Sequence, residues 1–540
     1  MFADSPTAAR ETMPPDADLA RDESRARKWL FAALAVGLLL RLHCLIFPYL
    51  WLDEYVTLWS IGGATYAEML DRSLHWTASA PLFVMSYRLT CDLVGDAELG
   101  VKLPGVVGGV LTIWAAWWTA RRLFQRTDVA VVAAWFVALA PQFVHFSQEA
   151  RPYSLGALQV LLATGFLAEW LRTGRKRDIA GAAIFSVTAV GFHLLSALAI
   201  VAHNLVVLAW GVQARWIWRR WAVWFAAQAV VAIGLYFVGA QFLLLSTRHS
   251  SMILETALPM ATRKALDEDW RGALTSELGF FVIAAAVAAI ARLFRGTEIG
   301  RAWSEQRLAL VVAAAAYAVP TTLLSVLCGL RVLDCWPRYY FLFQAGFLIC
   351  LAWLAVRAFP RAVSRVVVAI IVLGLLSHIN FVGGVPSCRL TEDWLSFPAV
   401  QAKLRTLGSD ELVLSRAGLI EANHADFLSS ELGVSYLKCF CEAKDGPLHA
   451  EHVALPFSPE SESSREYLDA LVRERLLGRP DFWLVNMGPQ DFDYRGWLMK
   501  QLGDRFDSRE ESRTPFLIIS RFVRRQDAAL VLAEKKGTSD

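Results

Sequence analysis

Long apolar runs alternate along most of the chain with short clusters of arginine. About 20 mainly apolar residues suffice to cross a hydrocarbon core as a helix. Such runs lie near 29–49, 103–120, 129–146, 153–171, 178–194, 197–213, 221–245, 277–294, 307–329, 339–357 and 364–383. They predict a mainly α, multi-pass membrane region over 29–383 with about 11 transmembrane helices. The first run is longer than the roughly 7–15 residues of a signal-peptide core, and no small-residue cleavage site follows it. It therefore reads as an uncleaved span, with residues 1–28 as a cytoplasmic segment. From about 384 the pattern changes. "TEDWLSFPAVQAKLRTLGSDELVLSRAG" reads as a helix and then a strand, and "PDFWLVNMG" and "RTPFLIISRFV" read as short strands. This predicts a soluble C-terminal α/β domain over 384–540 that ends in a disordered tail.

The arginines fall on alternate connections. "RDESRARK", "RRLFQR", "RTGRKR", "RWIWRR", "RLFRGTEIGR" and "RAFPRAVSR" share one side, which the positive-inside rule places in the cytoplasm. The "WLDEY" loop, "FSQEARPYS", the 246–276 loop, "LDCWPRYY" and the C-terminal region then lie outside. The segment "APLFVMSYRLTCDLVG", 80–95, is short for a span. Counting it as one would invert every later loop. It reads instead as an interfacial helix within the first external loop, 51–102, with Arg88 and Asp92 four residues apart on one face.

Composition agrees with this class. The 540 residues are 56% hydrophobic and only 19% charged, which excludes an ordinary soluble enzyme. The 21 tryptophans suit membrane interfaces. Net charge is only +3 and no basic domain stands out, which argues against nucleic acid as a partner. There is no Walker loop and no G-x-G-x-x-G. Of eight cysteines, Cys335, Cys388, Cys439 and Cys441 fall outside, where oxidation can occur. "CFC" at 439–441 lacks a second ligand pair for zinc, and pairing of Cys388 with Cys439 or Cys441 stays open.

Candidate chemistry lies among polar residues on the outer face. Asp53 and Glu54 follow the first span in "WLDEYVTLWS", either as a solvated helix end or as reactive carboxylates. "HFSQEARPYS" packs His145, Gln148, Glu149 and Arg151 into one short turn. Arg338, ahead of Tyr339 and Tyr340, reads either as a snorkelling cation or as a ligand for a lipid phosphate. His75, His193 and His249 are each structural or functional, and no spacing among them makes a metal site. The adjacent carboxylates leave a divalent ion open without making a site for one. No other cofactor is implied. Transfer of a sugar from a lipid-linked phosphate needs a carboxylate to take the acceptor's proton. It also needs cations to offset charge on the departing phosphate. This chain carries both.

At these residues the sequence resembles the GT-C class of integral-membrane glycosyltransferases. Within it, the likeness is to the bacterial branch related to protein O-mannosyltransferases and the lipid A aminoarabinose transferase. "WLDEYVTLW" is similar to that family's first external loop, "LAPQFVHFSQEARPYSL" to its "QEAR.Y" stretch and "PRYYFLF" to its late Arg–Tyr element. The resemblance covers residues 29 to about 240 and 330–345. It implies transfer, with inversion, from a polyprenyl-phosphate sugar to an acceptor hydroxyl at the periplasmic face of a bacterial inner membrane. The partners are then that donor, membrane lipids, and a glycolipid, polysaccharide or protein acceptor. Asp53 would be the catalytic base and Glu54 a supporting acid. Arg151, Arg338 and His193 would bind the donor phosphate, and Glu149, Tyr153, His75, Lys102 and Tyr339 would line the substrate site. Two positions depart from the family: "HWTASAP" replaces its His–Pro–Pro triplet, and Lys102 replaces the arginine before a proline. The alternative readings are a lipid-linked sugar transporter or polysaccharide polymerase, and a non-catalytic scaffold.

Overall fold

A computed structural model describes residues 15–46, 50, 52–77, 79–240, 306–329, 337–377, 380–382, 385–387, 396–416, 438, 447–456, 462–487, 493–513 and 517–525. Helices form the first part: α1 Pro15–Arg41, α2 His43–Ile46, α3 Leu52–Ile61, α4 Tyr66–Arg72, α5 Pro81–Val94, α6 Ala97–Phe124, α7 Thr127–Leu139 and α8 Pro141–Ser147. They continue as α9 Tyr153–Thr173, α10 Lys176–Phe192, α11 Ala197–Gln213, α12 Trp218–Leu235, α13 Arg307–Gly329, α14 Pro337–Arg357 and α15 Arg361–Leu376.

Among the described residues six helices are long and apolar enough to cross a membrane, and the bent pair α7–α8 would make seven. Eleven spans were expected. The run at 277–294 lies outside the described residues. The other expected runs are helical but differ in detail. The first span ends at Arg41 and restarts as the short α2. The last ends at Leu376, and a hairpin of β1 Asn380–Val382 and β2 Val385–Ser387 follows. The run at 129–146 is two helices meeting at 59°. Pro141 causes this break, because the residue before a proline avoids the helical region. Ala140 accordingly has an extended ψ of 122°.

Local signals fix the other ends. The Asp96 side chain caps α6 by accepting from the Leu99 N–H at 2.8 Å. Gly95 closes α5, and Gly174 closes α9, with φ of 73° and 68°. The expected pair in α5 is present, with Arg88 Nε 2.8 Å from Asp92 Oδ1. The same guanidinium donates to the carbonyls of Ile61 and Gly63, tying α5 to the end of α3. A core of Ala133, Phe136, Leu161, Trp170, Phe341 and Trp353 holds the bundle together.

The expected C-terminal elements also form. Helix α16 Ser396–Leu404 precedes β3 Leu412–Arg416, followed by β4 Glu451–Leu455, α17 Glu462–Leu471, β5 Asp481–Met487, α18 Tyr494–Leu502, β6 Phe506–Arg513 and β7 Leu517–Arg524. The five longer strands make one sheet in the order β4-β3-β5-β7-β6, with β3 parallel to β4 and β5, and β7 antiparallel to β5 and β6. Alternate residues serve opposite faces. Leu412, Leu414, Phe482 and Leu484 pack under α17 and α18. Val413, Trp483 and Val485 share a buried cluster with Leu404 of α16 and with Trp59, Met69 and Phe83 of the first-loop helices. The α/β part is thereby joined to α3, α4 and α5. Cys335, Cys388, Cys439, Cys441 and His249 lie outside the described residues.

Candidate active site

The bundle has two polar ends. At one end α1 stops, α6, α9 and α14 begin, and the turn 148–152 connects α8 to α9. Every described residue that the sequence assigns to the site belongs to this end. Asp53 lies in the first turn of α3, and His75 lies in the π-helical turn Ser73–Thr77. That turn is held to α3 by a 2.9 Å hydrogen bond between Ser60 Oγ and Thr77 Oγ1.

Glu54, expected as a supporting acid, and Lys102, expected to line the substrate site, are both 0% exposed and face each other. The Lys102 ammonium donates to Glu54 Oε1, and to the Gln148 carbonyl at 3.0 Å. Glu54 Oε1 also accepts from the Ala150 N–H at 2.6 Å. A buried charge is tolerated where its partners are fixed. Here the pair clamps the 148–150 backbone against α3 and α6.

The sequence reading missed Arg41, the last residue of α1, which is also 0% exposed. Its Nε donates to Ser147 Oγ at 2.9 Å and its Nη1 to the Gly37 and Ala138 carbonyls at 2.8 and 3.3 Å. Its Nη2 lies 3.5 Å from the Val137 carbonyl, the group Pro141 would have bonded had it an N–H. Arg41 thus serves the carbonyls exposed by the α7–α8 break. The neighbouring Leu40 carbonyl accepts from Gln148 Nε2 at 2.8 Å. An arginine at a span end reads as a snorkelling residue; only the proline-broken helix 96 residues later reveals its use.

The turn sits directly on α6 because α6 offers no side chain there. A Cβ on Gly105 would lie 2.7 Å from the Glu149 carbonyl oxygen and 2.9 Å from that of Ser147. One on Gly109 would lie 2.8 Å from Arg41 Nε. Two small residues four apart let membrane helices and backbone approach closely. Pro104, inside α6, cannot bond the Gly100 carbonyl. The Thr90 hydroxyl from α5 lies 2.8 Å from that oxygen.

The cationic part of the site lies beyond the turn. Arg151 and Arg338 both act electrostatically on His193, which ends α10. The His193 ring is 5.4 Å from Tyr153 and 6.1 Å from Tyr339, by ring centres. Arg151 lies 6.0 Å from the Tyr153 ring and Arg338 5.9 Å from that of Tyr339. Glu149 is buried, with Oε1 3.1 Å from His145 Nε2. The Tyr87 hydroxyl of α5 donates to the Arg151 carbonyl at 2.8 Å. The 148–152 turn, α9, the end of α10 and α14 therefore bring two guanidiniums and two tyrosine rings around His193. Among the described residues no group of three or more His, Cys, Asp and Glu is placed to hold a metal.

The profile of the dolichyl-phosphate-mannose-protein mannosyltransferase family matches residues 78–238, which include Lys102, the 148–152 turn and His193. No curated protein matches the sequence. Among solved structures, ArnT from Cupriavidus metallidurans in the apo state is similar over 92% of this chain and 98% of its own, with a TM-score of 0.55 and 14% identity. ArnT from the same organism bound to undecaprenyl phosphate covers the same shares, with a TM-score of 0.52 and 13% identity. At such identity the likeness is one of fold. Joined to the profile match across α5–α12, it makes this chain a multi-pass membrane protein that resembles the GT-C class of glycosyltransferases, in the branch of ArnT and the protein mannosyltransferases.

Proposed function

We propose that the protein transfers a sugar from a polyprenyl-phosphate donor to an acceptor hydroxyl, with inversion, at the periplasmic face of a bacterial inner membrane. The observation that carries this reading is the meeting of Arg151, His193 and Arg338 beside Tyr153 and Tyr339, at the end of the bundle where α3 carries Asp53. A departing lipid phosphate needs such cations. The undecaprenyl phosphate bound to ArnT supports a donor of that chemistry. In the reaction the acceptor oxygen attacks the anomeric carbon as the carbon–phosphate-oxygen bond breaks. Asp53 takes the hydroxyl proton, and the two arginines receive the polyprenyl phosphate. Because Glu54 is committed to Lys102 and the Ala150 N–H, its part is to position α3 and the turn. Lys102 is likewise a positioning residue.

A transporter would place charges mid-span and broken helices at the membrane midplane. Here Arg41 ends its helix, and Glu54 and Lys102 lie in the first two turns of theirs, which favours interfacial chemistry. The test is mass spectrometry of envelope glycolipids, polysaccharides and secreted proteins from cells with the protein, without it, and with Asp53→Asn. Loss of one sugar modification in both altered strains, with the variant folded and at normal level, is the expected result. Full modification in the Asp53→Asn strain would remove the assignment of the base.

A further inference from the structure

The other polar end holds a cavity of about 1330 Å³ between α1, α6, α7, α9 and α10. Lys102 and Arg122 are 20 residues apart on α6, which at 1.5 Å per residue separates the two ends by about 30 Å. That is one hydrocarbon thickness. The cavity therefore lies at the opposite membrane interface from the candidate active site. Seven arginines and three carboxylates line it, an excess of four positive charges. Each carboxylate is already engaged: Glu23 with Arg121 at 2.5 Å, Asp128 with Arg126 at 2.8 Å, and Glu169 with Arg172 and Arg122. Arg25 and Arg175 have no acidic partner among the described residues. Beneath the guanidiniums lie indoles, with Arg121 5.4 Å from the Trp117 ring and Arg122 4.2 Å from that of Trp118. The Trp117 indole nitrogen is buried and has no hydrogen-bond partner among the described residues. The remaining wall includes Trp29, Val131 and Val132, which are apolar.

We propose that this cavity binds the phosphodiester headgroup of an anionic phospholipid. Several properties point to that occupant. The basic charge is all arginine, whose planar fork matches phosphate oxygens. The tryptophans place the cavity at headgroup depth. Its volume exceeds the roughly 300–1,000 Å³ of an ordinary small-molecule site, which leaves room for the first acyl carbons along the apolar wall. Basic pockets between spans on the cytoplasmic side are suited to such headgroups. This inference is independent of the transfer reaction.

The full chain in neutral detergent would be titrated with phosphatidylglycerol, phosphatidylcholine or inorganic phosphate. Binding is read by thermal shift and by native mass spectrometry of retained lipid. Phosphatidylglycerol should bind at least tenfold more tightly than phosphatidylcholine. Arg25→Gln with Arg175→Gln breaks no ion pair, so the lipid-free melting temperature should not move. At about fivefold per guanidinium, the double variant should bind phosphatidylglycerol roughly thirtyfold more weakly. If the double variant is unstable, Arg175→Gln alone should show the fivefold loss. Equal binding of the two lipids, or unchanged affinity in a folded variant, would overturn the proposal. Equal stabilisation by millimolar inorganic phosphate would do so too, by making this a free-anion site.

Discussion

Lys102→Met would leave Glu54 buried without the ammonium that faces it. Removing one member of a buried ion pair costs about 3–5 kcal/mol, whereas replacing both by neutral groups of similar volume is often close to neutral. Glu54→Gln should show a cost at the same end of the scale, because it strands the Lys102 ammonium at 0% exposure. The double variant Glu54→Gln/Lys102→Met should lose less than about 2 kcal/mol, giving a coupling of at least about 4 kcal/mol between the two sites. Thermal unfolding in detergent, followed by tryptophan fluorescence and by the fraction still monodisperse after heating, measures all four proteins. Transfer activity measured alongside separates two roles. If Glu54 only positions the turn, the double variant recovers activity together with stability. A double variant that is stable yet inactive would show that Glu54 itself touches the reacting groups. A Lys102→Met protein as stable as the parent would refute the clamp.

Three further outcomes are expected. Gly105→Ala should cost about 1–3 kcal/mol by overpacking and reduce transfer more than tenfold, because the new methyl meets the backbone oxygens of Ser147 and Glu149, which cannot rotate away; heat inactivation and initial rates check it, and a fully active variant would sink the close-approach argument. Thr90→Val should destabilise by about 1–3 kcal/mol through the stranded Gly100 carbonyl, while Thr90→Ser should not, as melting curves of the two will tell. Burial, and after it the Lys438 charge, holds the His452 imidazole down at about 4 from its usual 6.5, and neither ring nitrogen has a hydrogen-bond partner among the described residues. The unfolded chain therefore takes up this proton first. Stability is fully present above pH 6.5 and is lost as pH falls toward 4. His452→Leu should flatten that part of the melting temperature against pH, and an unchanged slope would contradict it.

Much of this architecture is legible in local patterns. The Arg88–Asp92 pair follows from spacing alone, since neighbours on a helix surface are four residues apart. Strands β5 and β7 stand out as short β-branched and aromatic runs. Strand β6, "FDSREESR", does not: it is an exposed edge strand whose charged side chains hide its pairing with β7. The break between α7 and α8 is written in Ala140–Pro141, yet a hydropathy window passes over one proline. Least legible are Glu54, Lys102 and Arg41. Their partners lie 48, 46 and 96–106 residues away, so their burial is a product of tertiary packing and no local pattern contains it. A carboxylate beside the proposed base invites a chemical role, and only the buried lysine opposite it points to the positioning one proposed here.

The bare face of α6 bears on how genetic data from this protein should be interpreted. Because the Ser147 and Glu149 carbonyls rest where a side chain at 105 would be, and the Ser147 and Arg41 side chains where one at 109 would be, an inactivity screen will score those two glycines as severely as Asp53. Their intolerance comes from the volume of a single methyl group and is blind to its polarity. Replacement by serine should be no milder than replacement by alanine, whereas at a residue that handles a proton the chemical nature of the substitute decides the outcome. Comparing such pairs of substitutions, position by position, sorts the residues that shape this enclosure from those that react within it.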